Sequence, residues 1–179
     1  MGFVNAHFVA YATDLGAGTI AAASALASVG LMSIVGALGF GYFADRRGAR
    51  PALAIAFVLR GAGYAVLLLA NSLPVATLGV MVLGLSWTSV ISLTGVVTAD
   101  QFGLRRLGTV YGAIFGIMPL GHSLGMWFAG HVFDDSGTYD TALWVSMALG
   151  LAAAAIVGLP RFRQLAPVRT SAEAKPAGA

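Results

Sequence analysis

The chain has 179 residues, of which 58% are hydrophobic and 9% charged, with a mean hydropathy of +0.85. A soluble domain carries about 25% charged residues, so seven acids and ten bases are too few to clothe a water-soluble surface of this size, and a disordered segment would need the opposite composition. The net charge of +3 lies in small scattered groups with no basic stripe, which argues against nucleic acid, and the lack of cysteine removes disulfides and thiolate metal sites.

A bilayer core of about 30 Å takes about 20 mostly apolar residues as helix. Residues 1–14 are apolar and helix-compatible but rise only about 21 Å. They lack the basic start of a signal peptide and are expected to be the second half of a span whose beginning is missing. Residues 15–44 are free of charge and predict a span over about 20–43. The next, over about 51–70, contains one charge, Arg60. Residues 61–99 are again charge-free and too long for one crossing; Asn71-Ser72-Leu73-Pro74 breaks the run and starts a span at about 75–99. Two further spans are predicted over about 107–132 and 141–159. The fold class expected is an all-α integral membrane protein with five full transmembrane helices and a truncated first one, over residues 1–160.

The connections alternate in charge. Asp45-Arg46-Arg47-Gly48-Ala49-Arg50 carries three bases, residues 100–106 carry two, and the stretch after Pro160 carries Arg161, Arg163, Arg169 and Lys175. The connections at 14–19, 71–74 and 134–140 contain no Lys or Arg. This is the positive-inside pattern, and it places the carboxyl terminus in the cytoplasm, with residues 161–179 expected as a disordered tail.

The first basic connection identifies a family. Gly41-Tyr42-Phe43-Ala44-Asp45-Arg46-Arg47-Gly48-Ala49-Arg50 resembles the signature loop of the major facilitator superfamily, with Gly41, Ala44, Asp45, Arg46, Gly48 and Arg50 matching. Phe43 stands where that pattern has leucine, and Ala49 where it has a base. Gly39-Phe40-Gly41-Tyr42-Phe43-Ala44 also fits a dinucleotide fingerprint, but that motif needs a preceding short strand and here follows a long apolar helical run. Further stretches are similar to transporters of the monocarboxylate and oxalate–formate type. His7-Phe8-Val9-Ala10-Tyr11-Ala12-Thr13-Asp14-Leu15-Gly16 resembles the end of their seventh helix. Gly108-Thr109-Val110-Tyr111-Gly112, His122 and the segment 133–140 resemble their eleventh helix and its outer loop. The resemblance implies the carboxyl-terminal six-helix half of a secondary transporter that works by alternating access in a bacterial plasma (inner) membrane, with a proton or counter-substrate driving flux. It gives the 45–50 connection a gating role, through charge pairs that form in one conformation and break in another, with Asp45 capping the next helix or pairing with an arginine.

Transport needs polar groups near the midplane. Arg60 lies about 14 Å into its span, where a permanent cation needs an anion, a partner or water. No predicted span contains an acid, so its partner is substrate, backbone carbonyls or another half. His122 is mid-span beside Pro119, Gly121, Ser123 and Gly125, and reads either as a substrate or proton-coupling group or as a histidine bonded to a neighbouring helix. Asn5 and His7 are candidates on the incomplete helix. Trp87 is one at mid-span within Ser86-Trp87-Thr88-Ser89, where the hydroxyls can equally bond within their own helix. The substrate-binding set is therefore Arg60, His122, Trp87, Asn5, His7 and Ser123, and the gating set Gly41, Asp45, Arg46, Gly48 and Arg50.

Glycines 108, 112 and 116, and then 121 and 125, repeat every four residues and read as a packing face. His131 lies at a boundary beside Asp134 and Asp135 and reads as an interfacial residue. The three histidines lack metal-ligand spacing, no phosphate-binding loop is present, and no cofactor is expected. An intramembrane enzyme built on His122 or His7 would lack an accompanying acid. The expected function is secondary transport of a small organic anion such as a monocarboxylate. The alternative is a non-transporting fragment or subunit, whose polar face would need a homodimer or a separate amino-terminal half to cover it.

Overall fold

A computed structural model describes residues 2–159. Expectations for the tail at 161–179 lie outside them. Six helices follow one another: α1 Gly2–Asp14, α2 Thr19–Arg47, α3 Ala49–Leu68, α4 Leu73–Phe102, α5 Leu104–Ser136 and α6 Asp140–Gly158. The last five are long and apolar enough to cross a membrane. The order and number match the pattern of apolar runs.

The helices run past the apolar runs at their charged ends. The expected loop at 45–50 is helix on both sides of a single residue, Gly48, whose φ of 93° reverses the chain in one step. Gly103, at φ 74°, does the same between α4 and α5. An L-residue with a side chain rarely adopts this backbone, which explains glycine at both turns. Hydropathy reports where the bilayer ends; helix continues until a residue allows the turn.

α4 packs along both α2 and α3, and α3 packs along α6; α1 bridges α2 and α5, while α5 barely meets α6. Small residues set these approaches. A Cβ placed on Gly84 of α4 would lie 2.8 Å from the Val29 carbonyl oxygen of α2, and one on Gly36 of α2 would lie 2.7 Å from the Leu85 Cα of α4. Only glycine lets these backbones come so close. By contrast Gly108, Gly112, Gly116, Gly121 and Gly125 on α5 have no neighbour within 4 Å at that position, so this stripe borders open space and is not the packing face that its spacing suggests.

Two apolar clusters hold the ends of the bundle. One joins Phe3, Phe8 and Ala12 of α1 to Leu67, Val80, Leu83, Ala129 and Leu143 at the end where α1 finishes. The other gathers Ala49, Ala52, Leu53 and Leu93 at the basic end, with Phe40, Phe43, Phe57 and Val157 against them. Large apolar side chains on the outside, among them Leu31, Leu38, Leu124 and Trp127, are exposed. A bilayer or another apolar surface suits them; water does not.

Candidate functional site

A cavity of about 590 Å³ opens between α1, α3, α5 and α6, lined by Arg60, Tyr64, His122 and Ser146 among apolar Phe3, Phe57, Ile114, Ile117, Met118 and Leu149. Arg60 and Tyr64 are one helical turn apart on α3 and so share a face. His122 comes from α5, one turn after Met118, and Ser146 from α6. Residues far apart in the chain meet here because α3 packs on α6 and α1 carries α5 alongside.

Arg60 is poorly satisfied. One terminal nitrogen donates to the Ser86 carbonyl oxygen at 3.4 Å, and the guanidinium lies 5.7 Å from the centre of the Phe57 ring. Its Nε is buried with no hydrogen-bond partner. No carboxylate lines the cavity among the described residues. Arg60 is thus a permanent cation on the cavity lining, with one buried N–H left unanswered. Tyr64 is hydrogen-bonded to Ser146, which braces the wall next to it.

His122 bonds through Nδ1 to the Met118 carbonyl oxygen at 3.0 Å. Its helix continues unbroken through Pro119. Of the other candidates, none lines the cavity. Asn5 and Ser123 are exposed, and Trp87 is half-buried on α4. The hydroxyls around it stay within α4: Ser86 bonds to the Leu83 carbonyl at 2.9 Å and Ser89 to that of Leu85 at 2.9 Å. His7 ties α1 to the helices beside it, through Nε2 to the Met126 carbonyl at 3.1 Å and through Nδ1 to the Tyr139 hydroxyl at 3.4 Å. Phe3, His7, Tyr11, Phe133 and Tyr139 form an aromatic cluster there. Burial first, and then the Asp14 and Asp134 carboxylates, push the Tyr139 phenol above its ordinary range.

The gating set sits at the basic end. Gly41 is half-buried, and Asp45, Arg46 and Gly48 are exposed. Asp45 does not cap α3, correcting that part of the expectation from the motif: it lies inside α2, and the cap position of α3 is Gly48, with no side-chain bond. Arg46 stacks over Tyr42, 4.2 Å from the ring centre. Arg50 reaches across to α6, donating to the carbonyl oxygens of Val157, at 2.8 Å, and Leu159. At the opposite end His131 lies 3.5 Å from Asp135 and stacks on Trp127.

Tyr64, Ser146 and Phe57 were not singled out by sequence. Tyr64 and Phe57 stand four and three residues from Arg60, so helical spacing from the lone intramembrane charge was the available signal. Ser146 carried none beyond being a hydroxyl in an apolar run.

Comparison with known proteins agrees with this architecture. The chain is 26% identical over 140 residues to Monocarboxylate transporter 12 of Rattus norvegicus, a match covering 76% of this chain and 29% of that protein. The chain thus spans under a third of the length of that relative. The family model of the Major Facilitator Superfamily matches residues 1–179, and the chain, with five helices long and apolar enough to cross a membrane, belongs to that superfamily of integral membrane transporters.

Proposed function

We propose that this chain is a six-helix unit of a secondary transporter for a small organic anion with one carboxylate and an apolar body, working by alternating access. Arg60 holds the carboxylate; the apolar walls from Phe57, Ile117 and Leu149 take the rest of the molecule. The observation that carries this reading is a cation, Arg60, on the lining of a cavity that holds no acid among the described residues. The name of the rat relative points to the same substrate class. A single cation on an apolar wall favours a monocarboxylate over a dicarboxylate. Flux is driven by a proton or a counter-substrate across a bacterial plasma membrane, and the charge alternation of the connections supports a cytoplasmic side for the basic end. There the 41–50 segment and the Arg50 tie to α6 close the path.

Uptake into proteoliposomes containing this chain tests the proposal. Phenylpyruvate is a suitable probe: it has an apolar ring, and its strongly acidic carboxyl stops it crossing lipid as the neutral acid. Gradient-driven uptake is expected, lost in Arg60→Ala and kept in His131→Ala. No uptake by well-folded protein, for phenylpyruvate and for pyruvate, would contradict transport by this chain alone. A second reading would then lead, in which the unit works only beside another six-helix unit, either a second copy or a separate amino-terminal half. The short span relative to the rat protein and the open glycine face of α5 favour it.

A further inference from the structure

The cavity's other ionisable corner is a histidine fixed in one tautomer. A carbonyl oxygen only accepts, so the 3.0 Å bond to Met118 puts the hydrogen of neutral His122 on Nδ1. Nε2 is left with its lone pair and no protein partner among the described residues. The groups around it are few. From α3 come Arg60 and Tyr64, the latter bonded to Ser146 of α6. The α1 helix brings Gly2 and Phe3 to the cavity, while its His7 is engaged with Met126 and Tyr139. The α4 helix has no titratable side chain before Asp100 at its basic end, and the acid of α6, Asp140, is at the helix start. Arg60 is thus the one charge sharing the cavity with His122 among the described residues.

That makes a simple charge count. Empty, with His122 neutral, the cavity carries the single positive charge of Arg60. A carboxylate alone brings it to zero; a carboxylate with a proton on His122 returns it to one positive charge. The loaded and empty forms then carry the same charge, so what one crossing loses to the potential, about 2.3 kcal/mol per charge per 100 mV, the opposite crossing returns, and no net charge moves in a cycle. The carboxylate also screens the imidazolium from the guanidinium, so proton and anion favour each other's binding.

We propose that Nε2 of His122 is the proton acceptor that couples substrate movement to proton movement at the Arg60 site, which rests on the anion-site reading above. A hydronium ion delivers the proton: its O–H bond breaks, the Nε2 lone pair forms the new N–H bond, and water is released. The reverse transfer returns the proton to water on the other side when the anion leaves. Nothing is oxidised or reduced.

The test counts protons per phenylpyruvate in proteoliposomes of the whole chain, with the membrane potential set by a potassium gradient and valinomycin. Wild-type protein is expected to move one proton with each phenylpyruvate and to ignore the potential. In His122→Asn, where the amide can still donate to Met118, the proton count is expected to fall at least tenfold and the remaining flux to follow the potential. His131→Asn is expected to keep a count of one, and His122→Gln serves as a second variant read in the same way. A wild-type count near zero, or a count of one persisting in His122→Asn, would overturn the inference. So would complete loss of flux in both His122 variants, because a group that only carries the proton is not needed for the anion to pass. Arg60→Gln separates the two ideas: unchanged transport there would overturn the anion site itself, whatever His122 does.

Discussion

Arg50, near the start of α3, donates from Nε to the carbonyl oxygen of Val157 near the end of α6, 2.8 Å away. A second bond from its guanidinium goes to the Leu159 carbonyl. The last carbonyls of a helix have no partner within it, and a cation there also meets the negative end of the helix dipole. The motif arginine therefore clamps α3 to α6 at the basic end. Arg50→Ala is expected to lower stability by about 1–3 kcal/mol, the range for charged hydrogen bonds. Arg50→Lys, with one nitrogen in place of the fork, should recover part of it. Thermal unfolding in detergent checks the order of the three proteins.

The approach of α2 to α4 rests on Gly84, where an added Cβ would sit 2.8 Å from the Val29 carbonyl oxygen. Gly84→Ala should cost about 1–3 kcal/mol through forced separation of the backbones. Gly112→Ala, where nothing lies within 4 Å, should be neutral or gain up to about 1 kcal/mol from helix propensity. Equal behaviour of the two variants in unfolding measurements would contradict the close packing.

Gly121 lines the cavity and meets no neighbour at its Cβ position, so a side chain there takes volume from the space left for a ligand. Gly121→Leu is expected to weaken phenylpyruvate uptake about tenfold, a cost of about 1.4 kcal/mol, while pyruvate changes little. Parallel uptake assays with the two acids decide it. An equal loss for both would place the ligand elsewhere.

Tyr139 links stability to alkaline pH. Burial, then Asp14 and Asp134, raise its phenol, so the folded chain keeps this proton where the unfolded chain gives it up. Stabilisation from this group is complete below about pH 10 and is lost as pH rises through its folded value, at up to about 1.4 kcal/mol per pH unit. Tyr139→Phe removes that dependence. Denaturation curves between pH 9 and 11 should fall less steeply for the variant than for wild type.

Much of this was legible in the sequence, for identifiable reasons. Charge-free runs and the Asn71-Ser72-Leu73-Pro74 break mark six helices because a bilayer leaves little choice of composition. Arg60 stood out as the lone charge in a span, and it does line the cavity. His122 joins it there, but proximity of α3 to α5 across α1 and α6 is a tertiary fact that no spacing reveals. Trp87, Asn5 and Ser123 share the polarity of site residues without sharing the face, and a mixed apolar helix gives no clear phase from which to read that. Asp45 lies in helix where a charged stretch looks like loop, because Gly48 alone is enough to turn the chain.

Equilibrium binding of labelled phenylpyruvate to the purified protein tests the central claim most directly. Removing one partner of a buried charge pair costs about 2–5 kcal/mol, so Arg60→Gln should weaken binding by at least about thirtyfold, with Arg60→Lys in between and His131→Ala unchanged. Binding to Arg60→Gln as tight as to the wild-type chain would contradict an anion site built on Arg60.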